Sequence, residues 1–516
     1  MIREIISAII SAAISISCYS SFPSDTGDNS MQSVGGIWQS PEEIPDDCGI
    51  TVIDCKNHGK VRAELPSSFD ISTNPDTAPF FPPIGNQGQL NSCAGWATTY
   101  YQFTYEVNRL KNTPADASNI MSPAWTYNYI NGGRNTSTYI TDAYSVLKNQ
   151  GAMTLADYPY SGTASEYSYS WSTDVKKMTE ALRYRASDIR IYNIDAEAYD
   201  FEYELSVIKS SISEGHAGVV WTNSQGWSVE KSSSGESVIV RGSSRNKYGH
   251  FMTVVGYDDD IQVTVNGVTL KGAFKIANSM GDKWGNNGYI WVSYDALKLS
   301  SEHGTSWQSE YSGTRSPVFS STLKNSFYFI NVKECSVPFV GYVEYISDNP
   351  WNLTLTTGWA NHATNKKWSC NMSSGTSEPE FYCMVFDFFE AGKYINMSKY
   401  ISCDWNIQLS GNSDNNTYQI STMILDNLGN PVSPAETSYG TLTGGIYKKT
   451  TSINLARGRV TSYDDKKITS DDSDMILNYI VNNVDFSVIQ RFLADYNNDD
   501  IINVTDVILM NQTIAE

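Results

Sequence analysis

The hydrophobic pattern changes its period along the chain, and each change marks a boundary. Ile5 to Ile16 (IISAIISAAISI) form an apolar run of about a dozen residues, short of the roughly 20 that span a bilayer, and small serines follow. This reads as a signal peptide, residues 1–18, and places the mature protein outside the cell. No other stretch could cross a membrane. Residues 19–64 are rich in Ser, Asp and Gly and hold no sustained period, as in a linker or short pro-segment. From Leu65 to about Val332 helical and strand patterns mix, the signature of an α+β unit. From Cys335 onward VGYVEYI, WNLTLTTGW, EFYCMVFDFF and TYQISTMIL are short, aromatic or β-branched, and separated by Asn, Gly, Ser and Pro. They predict an all-β sandwich over 333–450. Residues 451–516 return to apolar spacings of three and four around acidic loops, which predicts a small α-helical unit.

Composition adds limits. A chain of 516 residues makes about three folding units, and its formal charge of -20 makes nucleic acid and anionic membranes poor partners and calcium a good one. Of eight cysteines, Cys18 leaves with the signal, and Cys48, Cys55, Cys335, Cys370, Cys383 and Cys403 lie outside the central block. Cys93 stands alone within it, so disulfides plus one thiol are expected, with Cys48–Cys55 and Cys370–Cys383 as candidate pairs by proximity. No Cys/His spacing suggests zinc.

The chemistry starts in PIGNQGQLNSCAGWATTYYQFTYEVNRL. Trp96, Tyr100, Phe103, Val107 and Leu110 recur at helical spacing, so this face is predicted to be buried, and Asn91 and Ser92 suit a helix start. Cys93 then lies at a helix N-terminus, where the macrodipole favours thiolate, although a buried core cysteine fits this segment equally well. Two later strands shift the balance. NKYGHFMTVVGYDDD puts His250 at the mouth of one, and FKIANSMGDKWGNNGYIWVSY puts Asn278 at the end of another. A cysteine hydrolase needs a base for the thiol proton and a group to orient that base. Gln87, six residues before Cys93, is placed to aim its amide at an oxyanion beside the Cys93 backbone N–H.

In this order Gln87, Cys93, His250 and Asn278 resemble the oxyanion Gln, nucleophile, base and orienting Asn of the papain-like cysteine peptidases. LPSSFD at Leu65–Asp70 looks like the family's mature amino terminus. MSPAWTYNYINGG resembles the segment ending in its substrate-binding glycine pair, which assigns that role to Gly132 and Gly133. YSVLKNQGAMTLADYPYSG, SISEGHAGVVW and KWGNNGYIWVSY continue the likeness over about residues 65–332. The resemblance implies the papain-like α+β fold and a protein or peptide substrate. Departures are visible too. Ala94 and Gly95 separate Cys93 from its aromatic, and Leu90 replaces a family cysteine. Met280 stands where a Trp shields the His–Asn bond, which predicts more water there. IQVTVNGVTLKG alternates around Asn266–Gly267, so the long His250–Asn278 spacing reads as an inserted type I′ hairpin. The stretch before Leu65 is too short for the family's large inhibitory propeptide, so autoinhibition of that kind is not expected. His58, His216, His303 and His362 read as structural or incidental.

DYNNDDIINVTD carries Asp495, Asn497, Asp499, Asn503 and Asp506 at positions 1, 3, 5, 9 and 12 of a calcium loop, with the Ile501 carbonyl at position 7. Asp500 replaces the usual Gly at position 6 and tolerates a left-handed backbone better than most residues. TSYDDKKITSDDSDMILNYI looks like a degraded copy with Thr461, Tyr463, Asp465, Thr469 and Asp472 at the matching places. Two such loop–helix units resemble a dockerin. That resemblance implies calcium-dependent plugging into a cohesin module of a cellulosome scaffoldin at a bacterial surface, with Val504 and Thr505 or Ser470 and Asp471 among the contacts. Trp351, Trp359, Trp368 and Trp405 of the β-rich part read as core packing ahead of sugar stacking. The whole predicts a secreted cysteine endopeptidase. The alternative is a catalytically inactive papain-like structural or binding component, for which Ala94 and Met280 argue.

Overall fold

The structure is a computed structural model. It describes residues 35–44, 49–58, 64–169, 172–198, 200–223, 227–242, 248–298, 317–320, 324–347, 353–359, 362–370, 380–389, 395, 397–400, 402–410, 417–441, 446–463 and 467–515. Residues 1–18, with Cys18, together with Cys48, His303, Trp351 and Asp465, lie outside them, as do the side chains of Trp359, His362, Trp368 and Cys370.

The described residues of the amino-terminal part include β1 (Gly36–Ile37), a 3-10 turn at Pro41–Glu43, β2 (Ile50–Asp54) and β3 (Ser68–Asp70). Next comes the helix that the Trp96 periodicity predicts. It opens as α1 (Cys93–Gly95), widens into a π-helical stretch (Trp96–Phe103) and closes as α2 (Thr104–Lys111). Trp96, Tyr100, Phe103 and Val107 are buried, but Leu110 is 50% exposed, because the widened middle rotates the last turn off the predicted face. Gln102 sits in that middle; its amide donates to the Ala217 and Tyr328 carbonyls and its oxygen accepts from the Tyr144 hydroxyl, so a buried polar group ties helix to sheet.

After it come α3 (Pro123–Ile130), β4 (Thr138–Tyr139), α4 (Ile140–Asn149), α5 (Val175–Ala181), β5 (Tyr184–Asp195) and α6 (Phe201–Ser213). The sheet is completed by β6 (Gly218–Thr222), β7 (Ser228–Lys231), β8 (Ser237–Arg241), β9 (Tyr248–Val265), β10 (Val268–Ala277), β11 (Tyr289–Ser293) and β12 (Lys324–Glu334). Its order is β2-β5-β12-β6-β9-β10-β11-β8-β7, with β1 and β3 pairing to β9 off this path and β4 pairing to β1. Asn266 and Gly267 turn β9 into β10 at φ 48° and 79°, the two left-handed positions of the predicted hairpin.

The second part is two four-stranded sheets. One has the order β16 (Glu380–Asp387), β13 (Val340–Ser347), β18 (Thr417–Leu425), β19 (Glu436–Thr441). The other has β15 (His362–Cys370), β14 (Leu353–Trp359), β17 (Ser402–Ser410), β20 (Ile446–Asn454). Trp405 is fully buried against Phe339, Phe388 and Phe389, so it serves the core. Cys55 and Cys383 are buried free thiols, which corrects both proposed disulfides, and Cys335 is free as well.

The carboxyl-terminal helices are α7 (Ser470–Ile480), α8 (Val488–Ala494) and α9 (Val504–Ala515), with α7 and α9 in contact. The parts are joined by specific contacts. Arg185 of β5 pairs with Asp387 at the end of β16, both wholly buried. The turn after β18 reaches two ways: Gly429 approaches the Lys176 backbone of α5, while Asn427 accepts from the Val488 amide and Asp426 from the Tyr463 hydroxyl.

Candidate active site

Cys93 is fixed by the start of α1, and Gly95 is needed there because a Cβ would lie 2.7 Å from the Pro123 carbonyl oxygen of α3. His250 is fixed in β9, opposite Thr222 of β6. Asn278 follows β10, its amide donating to the Gly288 carbonyl at 3.0 Å and its carbonyl accepting the Tyr101 hydroxyl at 2.7 Å. His250 Nε2 lies 2.7 Å from Asn278 Oδ1. The same oxygen accepts the Ser279 amide at 2.8 Å, which fixes the carboxamide orientation, so Nε2 carries the hydrogen and donates. Nδ1 therefore holds the lone pair, and it is buried with no hydrogen-bond partner. The Cys93 sulfur receives backbone hydrogen bonds, among them one from Phe251, the residue after His250. The helix start that carries Cys93 thus packs against β9, which carries His250.

Gln87 belongs to the same network. Its backbone amide donates to the Ser279 carbonyl at 2.8 Å, its Oε1 accepts the Ser279 hydroxyl at 2.6 Å, and its Nε2 donates to the Leu90 carbonyl at 2.8 Å. Ser279 is thus a positioning group for both Gln87 and Asn278 that the sequence reading missed, although it stands directly after Asn278. Gly132 and Gly133 make a left-handed turn after α3, at φ 61° and 71°. The backbone that pairs across the cleft is further on, at Thr138.

What pairs there is the chain's own entry segment. β1 lies between β4 and β9, parallel to the first with Gly36 opposite Thr138, antiparallel to the second with Gly36 opposite Gly249. The Thr138 amide donates to the Gly35 carbonyl at 2.8 Å, and Trp221 Nε1 donates to the Gly36 carbonyl at 3.1 Å. Trp38 packs on Trp221 with ring centroids 6.4 Å apart, Gln39 accepts the Thr141 hydroxyl, and Ile44 is buried in the core. The signal for this segment is the compact Gly35-Gly36-Ile37-Trp38 patch inside an otherwise polar stretch.

Occlusion sets the electrostatics. Cys93 and His250 have no exposed surface. Burial pushes the Cys93 thiol up to about 12, against backbone hydrogen bonds from Phe251 and Ala94 that pull it down. Burial also pushes the His250 imidazole down to about 4, opposed by the Asn278 hydrogen bond. This corrects the helix-dipole expectation of a ready thiolate: desolvation outweighs the dipole while the segment is in place. It also corrects the prediction of extra water beside Met280, since Asn278 is wholly buried. His216 is structural, held by Glu106 and Arg109.

In the carboxyl-terminal loop Asp500 has φ 64°, as its place at position 6 requires. Asp495 accepts the Asp499 and Asp500 amides, and Asp506, wholly buried, accepts those of Tyr496, Asn497 and Asn503. Arg457 pairs with Asp495 at 3.2 Å. Asn497 Oδ1 accepts the Asp499 amide, and Asn503 donates weakly to the Ile501 carbonyl. The donors are hard oxygens suited to calcium. Among the described residues no three His, Cys, Asp or Glu side chains converge as a metal cluster. In the first repeat Asp472 is engaged by the Val460, Thr461 and Thr469 amides, a protein-only closure of the same kind of loop.

A cysteine at a helix start, a histidine whose second nitrogen is held by an asparagine carbonyl, and a glutamine beside them define a cysteine hydrolase site. Residues 65–306 match the family of papain family cysteine proteases, and this part of the chain is a papain-like cysteine peptidase domain, a hydrolase by class. Among solved structures the chain is similar to xylellain, a cysteine protease from Xylella fastidiosa, at 18% identity and TM-score 0.39, over 58% of this chain and 97% of that one. It is similar to proCathepsin B S9 from Trypanosoma congolense at 14% identity and TM-score 0.37, over 58% and 87%. The bromelain protease from Ananas comosus, in complex with the E64 inhibitor, matches at 16% identity and TM-score 0.32, over 52% and 100%. No curated protein matches the chain in sequence. No helix among the described residues is long and apolar enough to cross a membrane.

Proposed function

We propose that the chain is a secreted cysteine endopeptidase kept latent by residues 35–44 and tethered through its carboxyl-terminal helices. The observation that carries the reading is the 2.7 Å bond from His250 Nε2 to Asn278 Oδ1, which leaves the Nδ1 lone pair unengaged on the strand that packs against the helix start carrying Cys93. Once the entry segment leaves, water and substrate reach the pair and the burial that holds both groups neutral is relieved. Nδ1 takes the Cys93 proton, and the thiolate adds to the peptide carbonyl carbon. The oxyanion is met by the Cys93 backbone N–H and the Gln87 amide. As the C–N bond breaks, Nδ1–H protonates the departing amine and a thioester remains. Nδ1 then takes a proton from water, the hydroxide displaces sulfur, and acid product leaves. Gly132 and Gly133 would serve the substrate backbone next to Thr138. Iodoacetamide labelling of Cys93 should abolish casein cleavage, and cleavage that persists in Cys93→Ala refutes the assignment.

The tether is a dockerin-like unit. Calcium would be held by Asp495, Asn497, Asp499, the Ile501 carbonyl, Asn503 and Asp506, and would close the second loop as Asp472 closes the first. Exposed Val504, Thr505, Ser470 and Asp471 are the proposed face for a cohesin of a bacterial scaffoldin. Cohesin capture that chelator leaves undiminished would count against calcium dependence. The rival reading, a papain-like shell kept as a binding component, draws on the complete burial of Cys93 and His250. It predicts no turnover even after the segment is displaced.

A further inference from the structure

Neither glycine of the occluding segment has room for a side chain. A Cβ built on Gly35, whose φ is 98°, would lie 2.4 Å from both the Asn91 Cβ and the Asn91 carbonyl oxygen. On Gly36 it would lie 3.0 Å from the Phe251 ring and 3.1 Å from the Gly249 carbonyl oxygen. These walls are fixed. The Asn91 amide donates to Asn135 Oδ1 at 2.7 Å, and Asn135 is itself bonded to the Gln89 carbonyl and the Tyr127 hydroxyl. Gly249 is pressed onto β6, where a Cβ of its own would lie 2.2 Å from the Thr222 carbonyl oxygen. The constriction is also central: Asn91 stands two residues before Cys93, and Gly249 and Phe251 flank His250. A peptide presenting its carbonyl to Cys93 must thread this gap.

We propose that Asn91, with Phe251 opposite, makes the enzyme selective for peptides with glycine beside the scissile bond, a choice resting on the endopeptidase reading above. Asn91 acts through its backbone and Cβ together, since its carbonyl oxygen, Cα and Cβ all lie within 2.6 Å of where that Cβ would be. The nearest atoms would have to retreat by about 1 Å to admit alanine, and a misplacement of that size costs roughly 100-fold in rate.

The test uses three peptides differing only in a central Gly-Gly, Ala-Ala or Phe-Phe pair, with full-length chain carrying Trp38→Ala to loosen the entry segment. Cys93 alkylation verifies that the cleft is open. The expected result is kcat/KM about 100-fold higher for Gly-Gly than for Ala-Ala, a ratio retained by Asn91→Ala, which keeps the backbone and Cβ, and lowered by Phe251→Ala, which removes the ring facing Gly36. Equal cleavage of the three peptides, or a ratio unmoved by Phe251→Ala, overturns the proposal. Calorimetric binding of the same peptides to Trp38→Ala/Cys93→Ala reads the constriction without chemistry. A glycine preference there with no turnover in the active-cysteine chain supports the constriction and sinks the endopeptidase reading, whereas equal binding overturns the constriction itself.

Discussion

Replacing Trp38 by Ala should expose the nucleophile without touching it. The indole is part-buried and its main partner is Trp221, which also bonds the Gly36 carbonyl, so the ring and the strand pairing hold the segment together. Truncating a fully buried Trp costs about 3–5 kcal/mol; for a part-buried ring roughly half of that, about 2 kcal/mol, is the expected loss to the closed state. At 1.4 kcal/mol per tenfold, the open population rises about 30-fold. Iodoacetamide labelling at pH 7, followed by peptide mapping, reads this directly, since the closed state offers Cys93 no exposed surface. Cys335 and Cys383 are buried thiols far from the segment in sequence and serve as internal references. Their labelling should not change; if they accelerate with Cys93, the variant has loosened globally. Cys93 labelling that is unchanged in Trp38→Ala, while the references stay slow, refutes the argument that this segment closes the site.

Acid should open the same cleft. With the His250 value depressed to about 4 in the closed form, closure binds no proton at moderate acidity, whereas an opened or unfolded His250 does so below about 6.5. Closed-state stability is therefore complete above that value and falls as pH drops from about 6.5 towards 4, by up to about 3 kcal/mol. Proteolytic nicking of the entry segment across that range should follow this curve and flatten in His250→Asn; a pH-independent rate would contradict it. Asp387→Asn should destabilise the chain by about 3–5 kcal/mol by leaving the Arg185 charge buried alone, read as a lower denaturation midpoint. A change under about 1 kcal/mol would mean that the pair is hydrated.

Cys93, His250 and Asn278 were legible because each sits at a local boundary, a helix start or strand end, that short-range pattern marks, whereas Gln87 lies in a loop and was legible by its spacing from Cys93. The hairpin at Asn266–Gly267 was legible for the same reason, since its two left-handed positions are written in the residue types. Residues 35–44 were not, because a strand of two residues has no period to detect and its partners lie about 100 and 200 residues away in Thr138 and Gly249. The shift of the Cys93 thiol was hidden with it, being a property of what covers the sulfur. Leu110 was misplaced because periodicity assumes a uniform helix, and the π-helical stretch breaks that assumption.

The turn after β18 touches α5 through Gly429 and the carboxyl-terminal unit through Asp426 and Asn427. Used as the proposed tether, the carboxyl-terminal unit would not behave as a string. Whatever holds α7 and α9 also sets the direction in which the cleft faces, so an anchored molecule would sweep a restricted sector of its surroundings, and pulling on the anchor would load the Arg185–Asp387 pair before it reached the site.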